Sequence, residues 1–156
     1  MHSGSDTFHG FPPYIEMLGG EFQTHHAQVA VECINQDTKH PATRHLDATF
    51  RVFDEIYIQK NFHREQVHGL LALNAHPNDK TPGDYPIAWC KQCGKGRVFY
   101  TAMGDRPENW QIPFFLDVVA GGIRFALGAA NGDVTNNLNS AAPGYAEIPP
   151  KEPPKK

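Results

Sequence analysis

The sequence predicts an α/β domain in which a β-sheet is covered by helices. Segments 28–34 and 50–58 alternate apolar and polar residues as strands do, and segment 67–73 is largely apolar, which is typical of a strand buried on both faces. A single long helix is predicted over residues 112–127, with apolar residues repeating along one face. That face has to pack on the sheet, so the two kinds of element belong to one domain.

Short elements and turns precede these strands. Residues 1–10 are rich in Ser, Gly and His, which predicts a loop, and Pro12-Pro13 predicts the start of a short helix over residues 14–19. After the first strand, residues 40–43 predict a turn that leads into a brief helical piece.

The second half of the chain begins with a loop and ends in a tail. Residues 74–85 have the Asn, Asp, Pro and Gly content of a loop. Segments 87–90 and 97–101 flank a Gly-Lys-Gly turn and predict a hairpin. Residues 129–156 lack periodicity and end in a run of Pro and Lys, which predicts an extended tail.

Composition limits the classes of protein that are possible. The 156 residues suffice for one domain, and 10 Phe, 5 Tyr and 2 Trp require a buried core. The net charge of −3 provides no basic surface for nucleic acid, and no apolar run is long enough to cross a membrane. Residues 1–20 show no signal peptide, so a cytoplasmic location is expected by default, and a periplasmic or secreted one if the true start lies upstream.

Two short motifs carry little functional weight. Cys90-x-x-Cys93 has no second pair to complete a zinc site, and it lies at a strand end rather than at the helix N-terminus of a redox motif. Gly94-x-Gly96 has no following helix to bind phosphate, so it is interpreted as a hairpin turn.

The opening loop is the first candidate site. Two imidazoles, a carboxylate and three hydroxyls lie within eight residues, on His2, Ser3, Ser5, Asp6, Thr7 and His9. Imidazole titrates near neutral pH and can therefore transfer protons under working conditions. In the alternative interpretation, Asp6 or Thr7 only caps the following turn.

Two further candidates lie outside the opening loop. His25 and His26 follow the first predicted helix and are adjacent, so in an extended segment at most one of them faces a given site, and in the alternative both are exposed and inert. Asp54-Glu55 interrupts an apolar strand, where a buried carboxylate is costly unless it is paired or functional. Either residue is a candidate general base. In the alternative interpretation, Asp54 has only a structural role and pairs with Lys60, Arg64 or a histidine on the buried face of the strand.

Seven motifs, in this order and spacing, resemble the ThuA-like (trehalose utilisation) family. They are His2–Phe8, Tyr14–Phe22 followed by His25, His40–Thr43, Asp54–Tyr57, Pro86–Trp89, Gly94–Gly104 and Gly121–Gly128. The resemblance implies a fold like the class I glutamine amidotransferases, which is flavodoxin-like, with a mostly parallel sheet flanked by helices and ending in the hairpin and long helix. Residues 1–128 would form the ThuA-like domain and residues 129–156 the Pro/Lys-rich tail.

The resemblance also implies a role in carbohydrate catabolism. The expected reaction is acid/base chemistry on a trehalose-like or keto-disaccharide, of an isomerase, lyase or hydrolase type, and not cysteine-dependent glutamine hydrolysis. No cofactor is expected, although a divalent metal held by His2, His25 and Glu55 is an alternative. The catalytic candidates are His2, Asp6, His25, Asp54 and Glu55, and the substrate-binding candidates are Ser3, Thr7, His40, Tyr57 and Asp105.

The sequence departs from the family pattern in two respects. The N-terminal part of the family domain has no counterpart here, so the domain is expected to be incomplete and to expose an apolar sheet edge. A second copy of the chain could cover that edge, which makes a homo-oligomer an expected partner besides a small carbohydrate. Asp105 stands where the family usually has histidine, and this favours the alternative of a non-catalytic sugar-binding or interaction module.

Overall fold

A computed structural model describes residues 1–142, which form seven strands, three α-helices and three short 3-10 helices. The strands are β1 (Glu21–His25), β2 (Val29–Asn35), β3 (Thr49–Asp54), β4 (Tyr57–Lys60), β5 (His68–Ala75), β6 (Pro82–Cys93) and β7 (Gly96–Thr101). The α-helices are α1 (Pro12–Leu18), α2 (Pro113–Ala126) and α3 (Leu138–Ala141). The 3-10 helices are His2–Asp6, Arg64–Gln66 and Pro107–Gln111.

Every strand pairing within residues 1–142 is antiparallel. β1 and β4 form a two-stranded sheet, and the other strands form a five-stranded sheet in the order β3-β2-β5-β6-β7. Together the sheets curl into a half-barrel. The predicted α/β fold with a mostly parallel sheet flanked by helices is therefore wrong.

The lengths of the connections explain the antiparallel order. A parallel pair needs a crossover of about a dozen residues or more, which is usually helical. β5 and β6 are joined by residues 76–81, and β6 and β7 by residues 94–95, so both connections make hairpins. The long helix α2 comes after the last strand of the five-stranded sheet, and so it cannot serve as a crossover between two of its strands.

Strand β5 is buried from His68 to Leu73, as the apolar segment predicted, and it lies inside a five-stranded sheet that has a hydrophobic core on each face. One core lies under α2 and contains Phe115 and Val118 together with residues of β2, β5 and β6. The other lies under α1 and the two-stranded sheet, with Trp89 and Tyr100 at its centre. Burial on both faces is thus a property of this layered arrangement and does not require parallel pairing.

The predicted single strand over residues 50–58 is two strands in different sheets. β3 ends at Asp54 and pairs with β2, whereas β4 begins at Tyr57 and pairs with β1. The chain changes sheets at Glu55 and Ile56. This break places Glu55 at the junction of the two sheets, where other segments of the chain can reach it.

The predicted hairpin is present as β6 and β7, and the predicted long helix is present as α2. Packing continues beyond residue 128, because Leu138 is buried and the Asn137 side chain pairs with both backbone groups of Gly69. Residues 143–156, which contain the Pro/Lys-rich end of the predicted tail, lie outside the described residues. No helix within residues 1–142 has the length and apolar character to cross a membrane.

The Asn137 contacts generate a stability prediction. The Gly69 N–H donates to Asn137 Oδ1 and the Asn137 amide donates to the Gly69 carbonyl, each at 2.8 Å. Because Asn137→Ala leaves both buried backbone groups without these partners, we expect it to lower the free energy of unfolding by about 2 kcal/mol in urea titrations. Asn131→Ala, at an exposed position on the same segment, serves as the control and should change it little. Equal losses in the two variants would contradict the assignment.

Candidate active site

The centre of the candidate site is the Glu55 carboxylate, which lies between two imidazoles. His25 Nδ1 is 2.9 Å from Glu55 Oε2, and His2 Nε2 is 3.8 Å from Glu55 Oε1. His25 Nδ1 also lies 3.0 Å from the His26 carbonyl oxygen, and since both neighbours are acceptors, this nitrogen carries the hydrogen. The structure thus brings together three of the predicted catalytic residues, which lie on β1, the first 3-10 helix and the β3–β4 junction.

Limited solvent contact shifts the proton affinities at this centre. The side chains of His2 and Glu55 are only 12% and 17% exposed. Burial raises the pKa of Glu55; the His25 imidazole acts in the opposite direction, and the carboxylates of Asp105, Asp54 and Asp6 add to the increase. Burial lowers the pKa of His2, an effect that Asp105 partly offsets. Burial therefore disfavours the charged form of both side chains, which moves their pKa values toward each other.

The Asp54 carboxylate connects two segments of the site. Asp54 is completely buried, and its Oδ1 accepts the Glu55 N–H at 2.9 Å while its Oδ2 accepts the Gly104 N–H at 2.7 Å. Asp54 thereby ties the end of β3 to the loop that follows β7. Asp105, the next residue of that loop, is placed beside Glu55 as a result. Since both of its oxygens accept hydrogen bonds from backbone N–H groups, Asp54 is a positioning residue that fixes the backbone of Glu55 and of the loop after β7.

Asp105 forms the exposed side of the site. Its Oδ2 accepts a hydrogen bond from the Gln28 side chain at 2.9 Å, and Gln28 in turn accepts one from Arg106 at 2.8 Å. Neither Gln28 nor Arg106 was predicted from the sequence as a site residue. Gln28 directly precedes β2, and no spacing in the sequence indicates that this end of β2 meets the loop after β7.

Aromatic rings form the back of the site. The Tyr57 ring lies 4.1 Å from the His2 ring and 4.3 Å from the Phe22 ring, measured between centroids. Burial raises the pKa of Tyr57 to about 12, so the phenol stays neutral at working pH. Tyr57, a predicted substrate-binding residue, is itself buried and supports the imidazole of His2.

Buried tyrosine and serine hydroxyls hold the opening segment in place. Tyr100 donates a hydrogen bond to the His2 carbonyl at 2.7 Å, and the hydroxyls of Tyr100 and Ser5 lie 2.7 Å apart. Tyr14 donates to the Gly4 carbonyl at 2.8 Å. The predicted loop is a short 3-10 helix, His2–Asp6, whose backbone is fastened to the second core, and so His2 has a defined position.

Three predicted site residues, Ser3, Asp6 and Thr7, make their side-chain or backbone contacts with residues other than Glu55, although the charge of Asp6 acts on the pKa of Glu55. Asp6 pairs with His9 Nε2 at 2.7 Å, and His9 Nδ1 lies 2.7 Å from Glu21, so this histidine bridges two carboxylates. Thr7 donates to the carbonyl of the exposed Ser3, which is a local contact. These residues support the fold of the opening segment.

His40 lies at the opposite end of β2 from the Glu55 carboxylate. It follows the C-terminal end of that strand, whereas Gln28 precedes its N-terminal end, and seven strand residues separate the two by about 20 Å. The His40 side chain is buried, and its Nδ1 accepts the Ala42 N–H. The structure therefore does not bring His40 to the site.

The site also has the donor set of a metal centre. One ligand atom each from His2, Glu55 and Asp105 lie within 4.8 Å of one another. His2 Nε2 is buried and makes no hydrogen bond within the described residues. The set contains Asp105 in place of His25, the third ligand in the sequence-based alternative. One imidazole and two carboxylates suit a divalent cation such as Zn²⁺ or Mn²⁺.

The structure thus defines an antiparallel α+β domain with a carboxylate–imidazole site at the junction of its two sheets. A family model described as "ThuA: Trehalose utilisation" matches residues 1–126. The chain belongs to this family, as its motifs predicted.

Two solved structures share the fold. A ThuA-like protein from Bacteroides uniformis ATCC 8492 is 24% identical with a TM-score of 0.65, and the match covers 80% of this chain and 56% of that one. A ThuA-like protein from Parabacteroides merdae ATCC 43184 is 15% identical with a TM-score of 0.66, and the match covers 85% and 61%. The chain therefore spans less than two thirds of either relative. No curated protein matches it.

The burial of His40 generates a pH prediction. Burial lowers the pKa of His40 to about 4, whereas the unfolded chain has the ordinary value of 6.5. Between these values the unfolded state binds more protons, so the free energy of unfolding falls as the pH falls from 6.5 toward 4. The His40 contribution to this loss is about 3 kcal/mol. We expect urea titrations of His40→Asn to show a correspondingly weaker pH dependence than the wild type.

The matched control is His63→Gln, because the His63 side chain is 61% exposed. This variant should keep the pH dependence of the wild type. Parallel pH profiles for His40→Asn and the wild type would contradict the account.

Proposed function

We propose that Glu55, His25 and His2 form an active site for proton transfer on a carbohydrate of the trehalose-like or keto-disaccharide class. The observation that carries the proposal is the Glu55 carboxylate, which is largely buried and lies within 4 Å of two imidazoles. Family membership supports the substrate class, since the family is described by trehalose utilisation.

The geometry suggests a division of roles. Glu55 acts as the general base, because burial raises its pKa and so increases its affinity for a proton taken from substrate. His2 stays largely neutral because burial lowers its pKa, and it can return a proton to an oxygen of the substrate after receiving one from Glu55. His25 Nδ1 lies 2.9 Å from Glu55 Oε2, and this contact holds the carboxylate in place.

The open side of the site suits a polyhydroxylated ligand. His25 is 44% exposed and the Asp105 carboxylate is exposed, so both can contact a ligand that approaches from solvent. A sugar hydroxyl can donate to Asp105 while a neighbouring oxygen accepts from an imidazole. We propose a small carbohydrate as the ligand for this reason.

The second candidate function is metal-assisted catalysis by a divalent cation held by His2, Glu55 and Asp105. Two observations favour it: the three ligand atoms lie close together, and the buried His2 Nε2 makes no hydrogen bond within the described residues. Such an ion would polarise a substrate oxygen. Elemental analysis of the purified protein tests this candidate. Stoichiometric metal that is lost in Asp105→Asn supports it, and full activity of protein shown to be metal-free contradicts it.

Solvent exchange on a keto-disaccharide tests the proton-transfer proposal directly. In D₂O, NMR should show deuterium entering the carbon next to the carbonyl in the presence of the protein. We expect Glu55→Gln to slow this exchange about 10²- to 10⁴-fold with little change in melting temperature, because the amide cannot accept the proton. Glu65→Gln, at a carboxylate that is 68% exposed, is the matched control and should leave the rate unchanged.

Two outcomes would contradict the proposal. If Glu55→Gln exchanges as fast as the wild type, Glu55 is not the base. If trehalose and its keto form raise the melting temperature of the wild type without exchange or product, the protein is a sugar-binding module.

A further inference from the structure

Helix α2 has apolar residues on two opposite faces, although only one of them packs on the sheet. The inner face contains Phe115, Val118 and Phe125, which are buried in the first core. The outer face exposes a second apolar stripe, defined here as the outer stripe, which consists of Leu116, Ala120 and Ile123 together with Leu127, the residue that follows the last turn of α2. A helix that is apolar all round is usually covered on all sides.

The outer stripe is a concentrated apolar surface. Its three large side chains are 43%, 50% and 78% exposed, at Leu116, Ile123 and Leu127. They are three of the eight large hydrophobic side chains that are exposed within residues 1–142. Single exposed hydrophobic residues are normal on a protein surface, but a contiguous set marks an interaction site.

The outer stripe cannot turn inward, because the helix is locked on its inner side by two glycines. A Cβ atom on Gly122 would lie 2.2 Å from the Phe99 ring, and one on Gly121 would lie 2.2 Å from the Pro41 carbonyl oxygen. The backbone of α2 is thus in direct contact with its neighbours. Rotation of the helix would bring larger side chains into these positions, so the stripe stays on the outside.

The spacing of the outer stripe is that of a helix-pairing seam. Its members are separated by four, three and four residues, which is the alternation of the a and d positions in a heptad. From Leu116 to Leu127 the stripe extends over about 16 Å of helix. Ala120 lies near its middle, where a small side chain allows two helices to approach closely.

The charges that flank the outer stripe fit a second copy of the same helix in antiparallel orientation. Asp117 and Arg124 are exposed beside the stripe, are the two charged residues of α2, and make no ion pair within the described residues. In an antiparallel pair, each Ala120 faces Ile123 of the second copy. Asp117 then lies beside Arg124 of the second copy, twice by symmetry. Asp117 and Arg124 are seven residues apart and so lie on the same flank of the stripe. In a parallel pair they would face the opposite flank of the second copy, where Val119 and Ala126 carry no charge.

We propose that the outer stripe of α2 is a homodimer interface in which two copies pack their α2 helices antiparallel about a two-fold axis. The partner is thus a second copy of this chain, and it covers a helix face and not the sheet edge that the sequence analysis expected. The apolar seam supplies the attraction and the Asp117–Arg124 pairs select the orientation.

Sedimentation velocity of the full 156-residue chain tests the proposal. The wild type should sediment as a monomer–dimer equilibrium at concentrations up to several hundred micromolar. Ile123→Glu should raise the dissociation constant about tenfold or more, because two carboxylates enter the seam. The matched control is Phe11→Glu, at a hydrophobic residue that is 53% exposed but lies on the far side of the fold from α2, and it should leave association unchanged.

A charge exchange tests the orientation. Asp117→Arg and Arg124→Asp should each weaken the dimer, because each places like charges opposite one another, and the double variant should restore it. Circular dichroism checks that every variant is folded. A wild type that stays monomeric at all concentrations, or a dimer that Ile123→Glu leaves unchanged, would overturn the proposal, and a double variant no stronger than the single ones would overturn the antiparallel orientation.

Discussion

The hydrogen bonds of the Asp54 carboxylate are the contact on which the candidate site depends. Asp54 lies at the last position of β3, is completely buried, and accepts the backbone N–H groups of Glu55 and Gly104. A buried carboxylate is costly unless its oxygens are satisfied, and here two segments about 50 residues apart satisfy them. The free-energy cost of burying the Asp54 carboxylate is therefore offset only when these two segments, which carry Glu55 and Asp105, come together.

Aromatic residues of the second core hold His2 in position, as Asp54 holds Glu55 and Asp105. Tyr57, the first residue of β4, supports the His2 ring, and Tyr100 on β7 binds the His2 carbonyl. The imidazole of His2 is therefore fixed by the core beneath it, although it belongs to the second residue of the chain. The proton transfer proposed for His2 requires this kind of rigid support, because small displacements of a proton donor or acceptor slow the transfer strongly.

The sequence predicted the local elements better than their arrangement. The hairpin, the long helix and the apolar strand are recognisable from turn residues and periodicity, which act over a few neighbouring positions. The direction of strand pairing depends on contacts between distant residues, and the family resemblance pointed to a parallel sheet that the short connections of this chain do not make. The switch of sheets at Glu55 was hidden because the apolar residues on both sides of it continue one alternating pattern.

The candidate site shows the same division. His2, His25 and Glu55 could be selected from the sequence because titratable side chains in a loop and in an apolar strand are conspicuous. The pairing of Asp105 with Gln28 could not, since it depends on the curl of the sheet, which brings the start of β2 next to the loop after β7. For His40 the motif match carried no information on location, and the length of β2 separates it from the other residues.

The most direct measurement of the central claim is a crystal structure of the protein with a bound disaccharide or keto-disaccharide. We expect sugar oxygens within hydrogen-bonding distance of Glu55 and His25, with the sugar ring near Asp105. A sugar bound elsewhere, with no contact to Glu55, His25 or His2, would contradict it.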